Sequence, residues 1–425
     1  MSKSLAVTVS VVFLLFGCSN ENSTLPQPTG MRHPSYYRSG SSPASTTSHF
    51  SILYTFKDGA DGALPNGGLV RDTSDRLYGT TYTGGGSAYT GVVFDVDQKG
   101  NENVLHTFNG FDGQTPEAGV VRDAAGNIYG TTLNGGSSDN GVVFKVDTGG
   151  NETVLHSFGG SDGLNPQSSL VRDAAGNLYG TTQLGGSFGD GVVFKVDASD
   201  NEMVLHSFDG TDGNYPVAGV IRDSAGNLYG TTIFGGNSGC NMGCGVVFEL
   251  HPNGTETVLH SFAGMDGQWP EAGLVRDSAG NLYGTTFNGG ASSCFDGCGV
   301  VFKLDRRGKE SIVHRFCLCV TPASSIRDGI NPVGSLVRDA NGDLYGTTVS
   351  GGGDSSVCSS TGCGIVFEIN SGGTESVLHS FNGTDGSAPV GALVRDSAGT
   401  IFGAASAGGS SSCVYGCGVI FKIGQ

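Results

Sequence analysis

Residues 168–208, SSLVRDAAGNLYGTTQLGGSFGDGVVFKVDASDNEMVLHSF, hold four short apolar runs divided by turn chemistry. Leu170-Val171-Arg172-Asp173 leads into Ala174-Ala175-Gly176-Asn177, where Asp opens a turn and Gly can take a left-handed position, and Leu178-Tyr179-Gly180-Thr181-Thr182 follows. After a Gly-Gly loop come Gly191-Val192-Val193-Phe194-Lys195-Val196-Asp197, a second polar turn, and Glu202-Met203-Val204-Leu205-His206-Ser207-Phe208. β-Branched and aromatic residues suit a pleated surface, so each run is predicted as an antiparallel strand and the unit as one four-stranded propeller blade.

The unit recurs along the chain. Its second-strand aromatic is found at Tyr78, Tyr129, Tyr179, Tyr229, Tyr283, Tyr345 and Phe402, which marks seven copies. The last copy stops at its third strand, Phe421-Lys422-Ile423, and Ile52-Leu53-Tyr54-Thr55-Phe56 matches the missing Val-Leu-His-Ser-Phe in register. The expectation is an all-β, seven-bladed β-propeller over residues 51–425, closed by strand 52–56 completing the last blade, an arrangement that removes two exposed sheet edges. An open solenoid or β-helix is the alternative, and it has no need of a blade split between two ends. No stretch after residue 50 reads as a helix.

The phrase D-x-x-G-N-L-Y-G-T-T-x-x-G-G resembles the propeller repeats of bacterial two-component regulators. The whole unit, from G-V-V-F-K through V-L-H-S-F to L-V-R-D-x-x-G-N-L-Y-G-T-T, is similar to the GloVer tandem-repeat proteins over nearly all of residues 51–425. That resemblance implies a repeat domain, export and surface anchoring, and no particular activity or catalytic residue.

The chain carries 39 acidic and 22 basic residues, a formal charge of -17. Nucleic-acid binding needs clustered Lys and Arg, so nucleic acid is not an expected partner. Cations, neutral sugars, peptides and basic proteins remain open. Lys3, the apolar run 5–16 and Leu15-Phe16-Gly17-Cys18 resemble a bacterial lipoprotein signal with its lipobox. The resemblance implies removal of residues 1–17, lipidation of Cys18 and, with Ser19 behind it, sorting to the outer membrane or cell surface. An ordinary secretory signal with an incidental cysteine is the alternative. Residues 18–50, rich in Ser, Thr, Pro and Asn, read as a flexible tether.

Ten further cysteines form close pairs: Cys240 and Cys244, Cys294 and Cys298, Cys317 and Cys319, Cys358 and Cys363, Cys413 and Cys417. In an exported chain these read as local disulfides, four of them in the same loop of successive repeats. Cys317 and Cys319 have the alternative of bonding elsewhere, because a ring across one intervening residue is strained. No pair has a nearby His, so the cysteines are not read as a metal site, and no cofactor is expected.

Three polar signals repeat. His106, His156, His206, His260, His314 and His379 lie on the fourth strand, with Thr55 placed at the corresponding point of the closing strand. Set around a rim they cannot converge on one site, and their expected role is structural. Arg71, Arg122, Arg172, Arg222, Arg276, Arg338 and Arg395, each followed by Asp, end the innermost strand; they either join blades or form a channel anion site. An Asp-Gly-x-x-Pro loop precedes that strand, at Asp61, Asp112, Asp162, Asp212, Asp266 and Asp385, with Asp328 offset. One carboxylate per loop is few for calcium, and turn formation is the preferred reading.

Those loops and the Gly-Gly loops are expected on one face, where sequence varies between copies. The ligand-binding candidates there are the aromatic Phe111, Tyr215 and Trp269, able to stack on a sugar or another planar group, and the acids Glu117 and Glu271; packing between loops is the competing role. Two other non-repeated groups, His251 and Asp296, form no recognisable constellation with them, and the segment 317–332 breaks the symmetry most. The expected function is a non-catalytic, monomeric binding or protein-interaction module at the cell envelope, recognising a glycan or an envelope protein. The alternative is a polysaccharide lyase or glycoside hydrolase on the same scaffold. A purely structural envelope protein is a third reading. No nucleotide loop, nucleophile elbow or zinc motif is evident.

Overall fold

Phe94, Phe144, Phe194, Phe248, Phe302, Phe367 and Phe421, the aromatic of each Val-Val-Phe run, are all fully buried and dictate what surrounds them. Their neighbour across the sheet is the Gly of Leu-Tyr-Gly-Thr-Thr, as in the pairing of Gly180 with Phe194. A Cβ on Gly180 would lie 2.7 Å from the Phe194 ring and 2.9 Å from Leu170, so the glycine is there to admit the ring. Its backbone is not left-handed, and the constraint is purely steric.

The computed structural model describes residues 49–236, 240, 242–290, 297–316, 328–353, 358, 361–410, 413 and 416–424. The expected signal peptide, Cys18, most of the tether, Cys294, Asp296, Cys317 and Cys319 lie outside them. The first blade shows the plan. Strand β1 (His49–Thr55) belongs elsewhere; β2 (Val70–Arg71), β3 (Leu77–Thr81), β4 (Val92–Val96) and β5 (Glu102–Thr107) form one antiparallel sheet in chain order. The two middle strands are buried on both faces, and β5 is half-buried to exposed along its length. Five more sheets follow the same order at 121–157, 171–207, 221–261, 275–315 and 337–380.

The seventh sheet, 394–424, has three strands of its own, and β1 supplies the fourth by pairing His49 with Gly424 through to Thr55 with Val419. The fold is a seven-bladed, all-β propeller with four antiparallel strands per blade, as the repeat phase required. The closing strand begins three residues ahead of the expected Ile52, and Phe56 carries the ladder on by donating to the Gly418 carbonyl at 3.1 Å. In the sixth blade Gly329–Pro332 forms an extra strand against a lengthened Leu344–Gly351, where other blades make a single bridge.

Adjacent blades join through a second phenylalanine, the one ending each His-Ser-Phe. Phe108 meets Phe144 of the next blade edge-on at 5.1 Å, and the same contact recurs between Phe158 and Phe194, Phe208 and Phe248, Phe262 and Phe302, and Phe316 and Phe367. Phe381 with Phe421 and Phe56 with Phe94 complete the circuit at 5.3 and 5.1 Å. Near the axis the chain approaches itself so closely that a Cβ on Gly67 would lie 2.4 Å from the Ala118 carbonyl oxygen.

Disulfides join Cys240 to Cys244, Cys358 to Cys363 and Cys413 to Cys417, and Cys298 is disulfide-bonded. Each closes the Gly-Gly loop immediately before its Val-Val-Phe or equivalent strand.

Gly180→Ala is expected to destabilise the propeller by about 1–3 kcal/mol, the usual cost of overpacking a filled core. Guanidinium unfolding checks this, and a midpoint equal to wild type would show that Phe194 does not impose the glycine.

Candidate functional site

Each loop that returns the chain from the rim to the axis ends in a residue followed by proline. Those seven residues are Leu64, Thr115, Asn165, Tyr215, Trp269, Asn331 and Ala388, and all hold a left-handed backbone, with φ between 49° and 59°. The conformation disfavours any residue with a Cβ, and a residue before proline ordinarily prefers an extended one. Hydrogen bonds to two blades hold it in place. Tyr215 and Trp269 donate to Asp190 and Cys244 of the preceding blade at 3.0 Å each, and their carbonyls accept from Ile233 at 3.1 Å and Phe287 at 2.8 Å in their own. The backbone repeats while the side chain changes, and glycine, the least strained choice, is used at none of the seven.

Tyr215 and Trp269 are brought together by a residue that sequence reasoning did not single out. Phe234, in the Gly-Gly loop of the fourth blade, lies edge-on to Tyr215 at 5.6 Å and to Trp269 at 6.1 Å. The bridge between Asn214 and Phe234 fixes it there. The three half-buried rings form one row across blades four and five. The indole Nε1 of Trp269 is buried and has no hydrogen-bond partner among the described residues. A buried indole N–H ordinarily finds an acceptor, so this donor is available to a ligand. The signal that could have found Phe234 is its place: it is the second variable residue of the loop Thr-Thr-x-x-Gly-Gly, where the other copies carry Thr, Asn, Leu, Asn, Ser and Ala.

Glu271 sits two residues after Trp269, past the proline, and burial pushes its carboxyl up to about 7. Glu117 holds the same position in blade two and accepts a 3.0 Å hydrogen bond from Gln167 Nε2 of blade three. Burial raises the Glu117 carboxyl above the ordinary range, against the opposing pull of that bond. Tyr82, beside it, has its hydroxyl raised by burial and by the Glu117 charge. Phe111 stands apart from both groups, 88% exposed on the outer arm of its loop with no ring contact to the row. His251 is elsewhere again, its Nδ1 3.2 Å from Asn227 Oδ1 at the turn of blade four.

The repeated polar residues are occupied in the scaffold. Each rim His meets the Asp of its own Asp-Gly loop, with Nε2 to Oδ2 distances of 3.2 Å for His106–Asp112, 2.9 Å for His156–Asp162, 2.8 Å for His206–Asp212, and 3.1 Å for both His260–Asp266 and His379–Asp385. His314 and Asp328 are 3.7 Å apart. The other carboxylate oxygen accepts backbone N–H, as Asp162 does from Gly159 at 2.8 Å. In the closing strand the equivalent residue is Tyr54, not Thr55: Tyr54 pairs with Ile420 as His106 does with Val93, and its hydroxyl donates to Asp61 at 2.8 Å. The bulge between Ile52 and Tyr54 matches the one in the other outer strands, and aligning Ile52-Leu53-Tyr54-Thr55-Phe56 with Val-Leu-His-Ser-Phe already places Tyr54, not Thr55, at the His position.

The arginines join blades. The Arg122 guanidinium lies over the Tyr78 ring at 4.1 Å and 3.6 Å from Asp72, and Tyr78 donates to that same Asp at 2.9 Å. Arg276 repeats this with Tyr229 and Asp223; Arg395 lies over Tyr345 and near Asp339, but there the Tyr345 hydroxyl donates to Glu368 at 3.0 Å instead. Arg172, Arg222 and Arg338 lie over Tyr129, Tyr179 and Tyr283. Arg71, which would face Phe402, pairs with Asp75 of its own blade instead.

The Gloeobacter/Verrucomicrobia repeat family matches residues 41–241 and 202–421, and the chain belongs to that family. No curated protein sequence matches it. Among solved structures it is similar to the extracellular domain assigned to the hybrid two-component system BT3049 from B. thetaiotaomicron, at 11% identity and a TM-score of 0.53 over 88% of this chain and 41% of that one. It is likewise similar to the extracellular domain assigned to the hybrid two-component system BT4673 from the same organism, at 12% identity and a TM-score of 0.55 over 88% and 39%. The chain thus spans about two fifths of the length of these structures, and at this identity the likeness is one of fold.

Two outcomes test the geometry. Trp269→Gly is expected to be more stable than Trp269→Ala by about 0.5–1 kcal/mol in denaturant unfolding, because both remove the ring and only glycine relieves the left-handed backbone. Equal stabilities would remove the strain from the account. Glu271 is raised above its ordinary 4.5, so its contribution to stability is complete below about 4.5 and is lost as pH rises through about 7. Glu271→Gln should therefore melt roughly 1–3 °C above wild type at alkaline pH and together with it in acid, as read by calorimetry.

Proposed function

We propose that the protein is an exported propeller, held at the cell envelope through a lipidated Cys18, whose loop face binds a glycan without turning it over. The observation that carries this reading is the row Tyr215–Phe234–Trp269. A rigid ring presents, on a repeated and strained backbone, side chains that differ from blade to blade, and at blades four and five these are aromatic. Aromatic faces stack on the apolar faces of sugar rings, and the indole N–H of Trp269 adds a directional contact for a sugar hydroxyl. Local disulfides fit an oxidising compartment, in keeping with the signal-like first residues. The acidic balance of the chain, -17, favours a neutral or cationic ligand over a polyanion.

One observation favours the second reading, a carbohydrate-active enzyme. Glu271, with a carboxyl near 7 beside Trp269, is poised for proton transfer to or from a bound sugar. The partner acid such chemistry needs is not in contact with it among the described residues.

A glycan-array screen with residues 48–425, followed by mass analysis of each bound glycan, separates the readings. Binding with the glycan left intact, weakened about tenfold or more by Trp269→Ala and by Tyr215→Ala, is the expected result, since tenfold corresponds to about 1.4 kcal/mol of lost stacking. Shortened or unsaturated products would replace binding with catalysis. Binding that survives both substitutions would move the site away from the row, and no binding on the array would overturn the glycan reading in favour of an envelope protein.

A further inference from the structure

The outer strand of six blades opens with a glutamate: Glu102, Glu152, Glu202, Glu256, Glu310 and Glu375. Each lies against the acid, or the His and acid, of the preceding blade, so the rim histidines that cannot converge around the ring do converge with acids between neighbours. In two cases the approach is close. One ligand atom from each of His106, Asp112 and Glu152 lies within 4.8 Å of the others, and the same is true of His156, Asp162 and Glu202. His106 and Asp112 come from the first blade and its exit loop and Glu152 from the second; the other set joins the second blade to the third in the same way.

A separate observation shows that these sets lack a partner. Oε1 of Glu152 and Oε1 of Glu202, like that of the other four rim glutamates, are removed from solvent and have no hydrogen-bond partner among the described residues, and only in these two cases do a His and an Asp lie close enough to share an ion with it. A carboxylate oxygen out of water with no donor is costly, and none of the neighbouring side chains supplies one. We propose that His106–Asp112–Glu152 and His156–Asp162–Glu202 are two inter-blade sites for a divalent transition-metal cation of the zinc type.

The donor chemistry selects that class. One imidazole nitrogen and two carboxylate oxygens form a mixed set suited to zinc, with water completing the shell, whereas calcium and magnesium favour all-oxygen shells. Two carboxylates bring a charge that one divalent ion balances. The His Nε2 to Asp Oδ2 distances of 3.2 and 2.9 Å are close to the spacing of two ligands on an ion about 2 Å from each. The glutamate contributes the third ligand atom, within 4.8 Å of the other two. Bound there, the ion bridges blades one and two or two and three at the rim, on other blades than the loop row of blades four and five. The seam shows the opposite solution: Phe50 takes the glutamate's place in register, pairing with Ile423, and stacks flat on His379 at 3.7 Å.

The test is zinc uptake by the chelator-treated full chain in equilibrium dialysis, beside a Glu152→Gln/Glu202→Gln variant shown to be folded by circular dichroism. The expected result is two zinc ions per chain more in wild type than in the variant, matching the two sets. Equal uptake would overturn the proposal. Should the variant fail to fold, wild-type crystals soaked in zinc and measured at the zinc absorption edge decide it: anomalous peaks between His106 and Glu152 and between His156 and Glu202 support the sites, and peaks elsewhere or none reject them.

Discussion

Everything else in the structure is arranged around a phenylalanine lying over a glycine. The Phe of each Val-Val-Phe run fills the space left by the Gly of Leu-Tyr-Gly and receives, from the blade before it, the edge of a second phenylalanine. Burying a ring of this size contributes about 1.5–3 kcal/mol, and an edge-to-face pair adds about 0.5–1.5. One contact therefore stabilises a blade and its interface together. It also explains three of the repeated phrases at once: Gly so that the ring fits, Val-Val-Phe to deliver it, and His-Ser-Phe to meet it. A substitution in any of the three disturbs two blades.

The polar repeats follow from the same geometry. Once the phenylalanines bring blades together, Arg of one blade is placed over Tyr and beside Asp of the one before, while within each blade the rim His lies edge-on to the Phe two residues on and against the Asp of its own loop. Recurrence around the ring marks these groups as parts of the interface. Positions that do not recur are left free to carry specificity, and the left-handed residue before each loop proline is the clearest of them. Its backbone is held from two sides whatever side chain it bears, and Trp269 and Tyr215 are further positioned by their edge-on contacts with Phe234. A ring fixed in this way loses little conformational entropy when a ligand stacks on it.

The number of blades, the strand order and the closing strand were legible in the sequence because a repeated unit exposes its own invariants: one copy serves as the template for another. The aromatic pair Tyr215 and Trp269 was legible for the complementary reason, as large rings where other copies have smaller or polar residues. Contacts between copies were not. Gln167 reaches Glu117 across 50 residues, and Phe234 links two loops of different blades, and no periodicity within a unit reports either. The misplacement of Thr55 is not of this kind. The alignment of Ile52-Leu53-Tyr54-Thr55-Phe56 with Val-Leu-His-Ser-Phe already sets Tyr54 at the His position, and the bulge that the closing strand shares with the other outer strands leaves that register intact. The rim glutamates looked like exposed polar strand ends. Only the approach of the neighbouring blade shows that each shares its space with a histidine or an acid.

The seam between β1 and the last blade separates what closure requires from what the other interfaces use. It is the place where a blade is assembled from distant parts of the chain, and three polar devices are exchanged there for more apolar ones: Phe50 for the glutamate, Tyr54 for the histidine, and Phe402 for the tyrosine that an arginine covers elsewhere. Removing two charges from water costs several kcal/mol unless the geometry is excellent, whereas an apolar replacement of similar volume is neutral or better. Within a continuous run of blades the chain itself holds the partners at that geometry. At the seam it does not, and β1 must find its place through its backbone ladder and burial, without a matched pair of charges. Phe50 lying flat on His379 and edge-on to Phe381 supplies burial without a partner charge to match, so the ring closes on the contact least dependent on precise alignment.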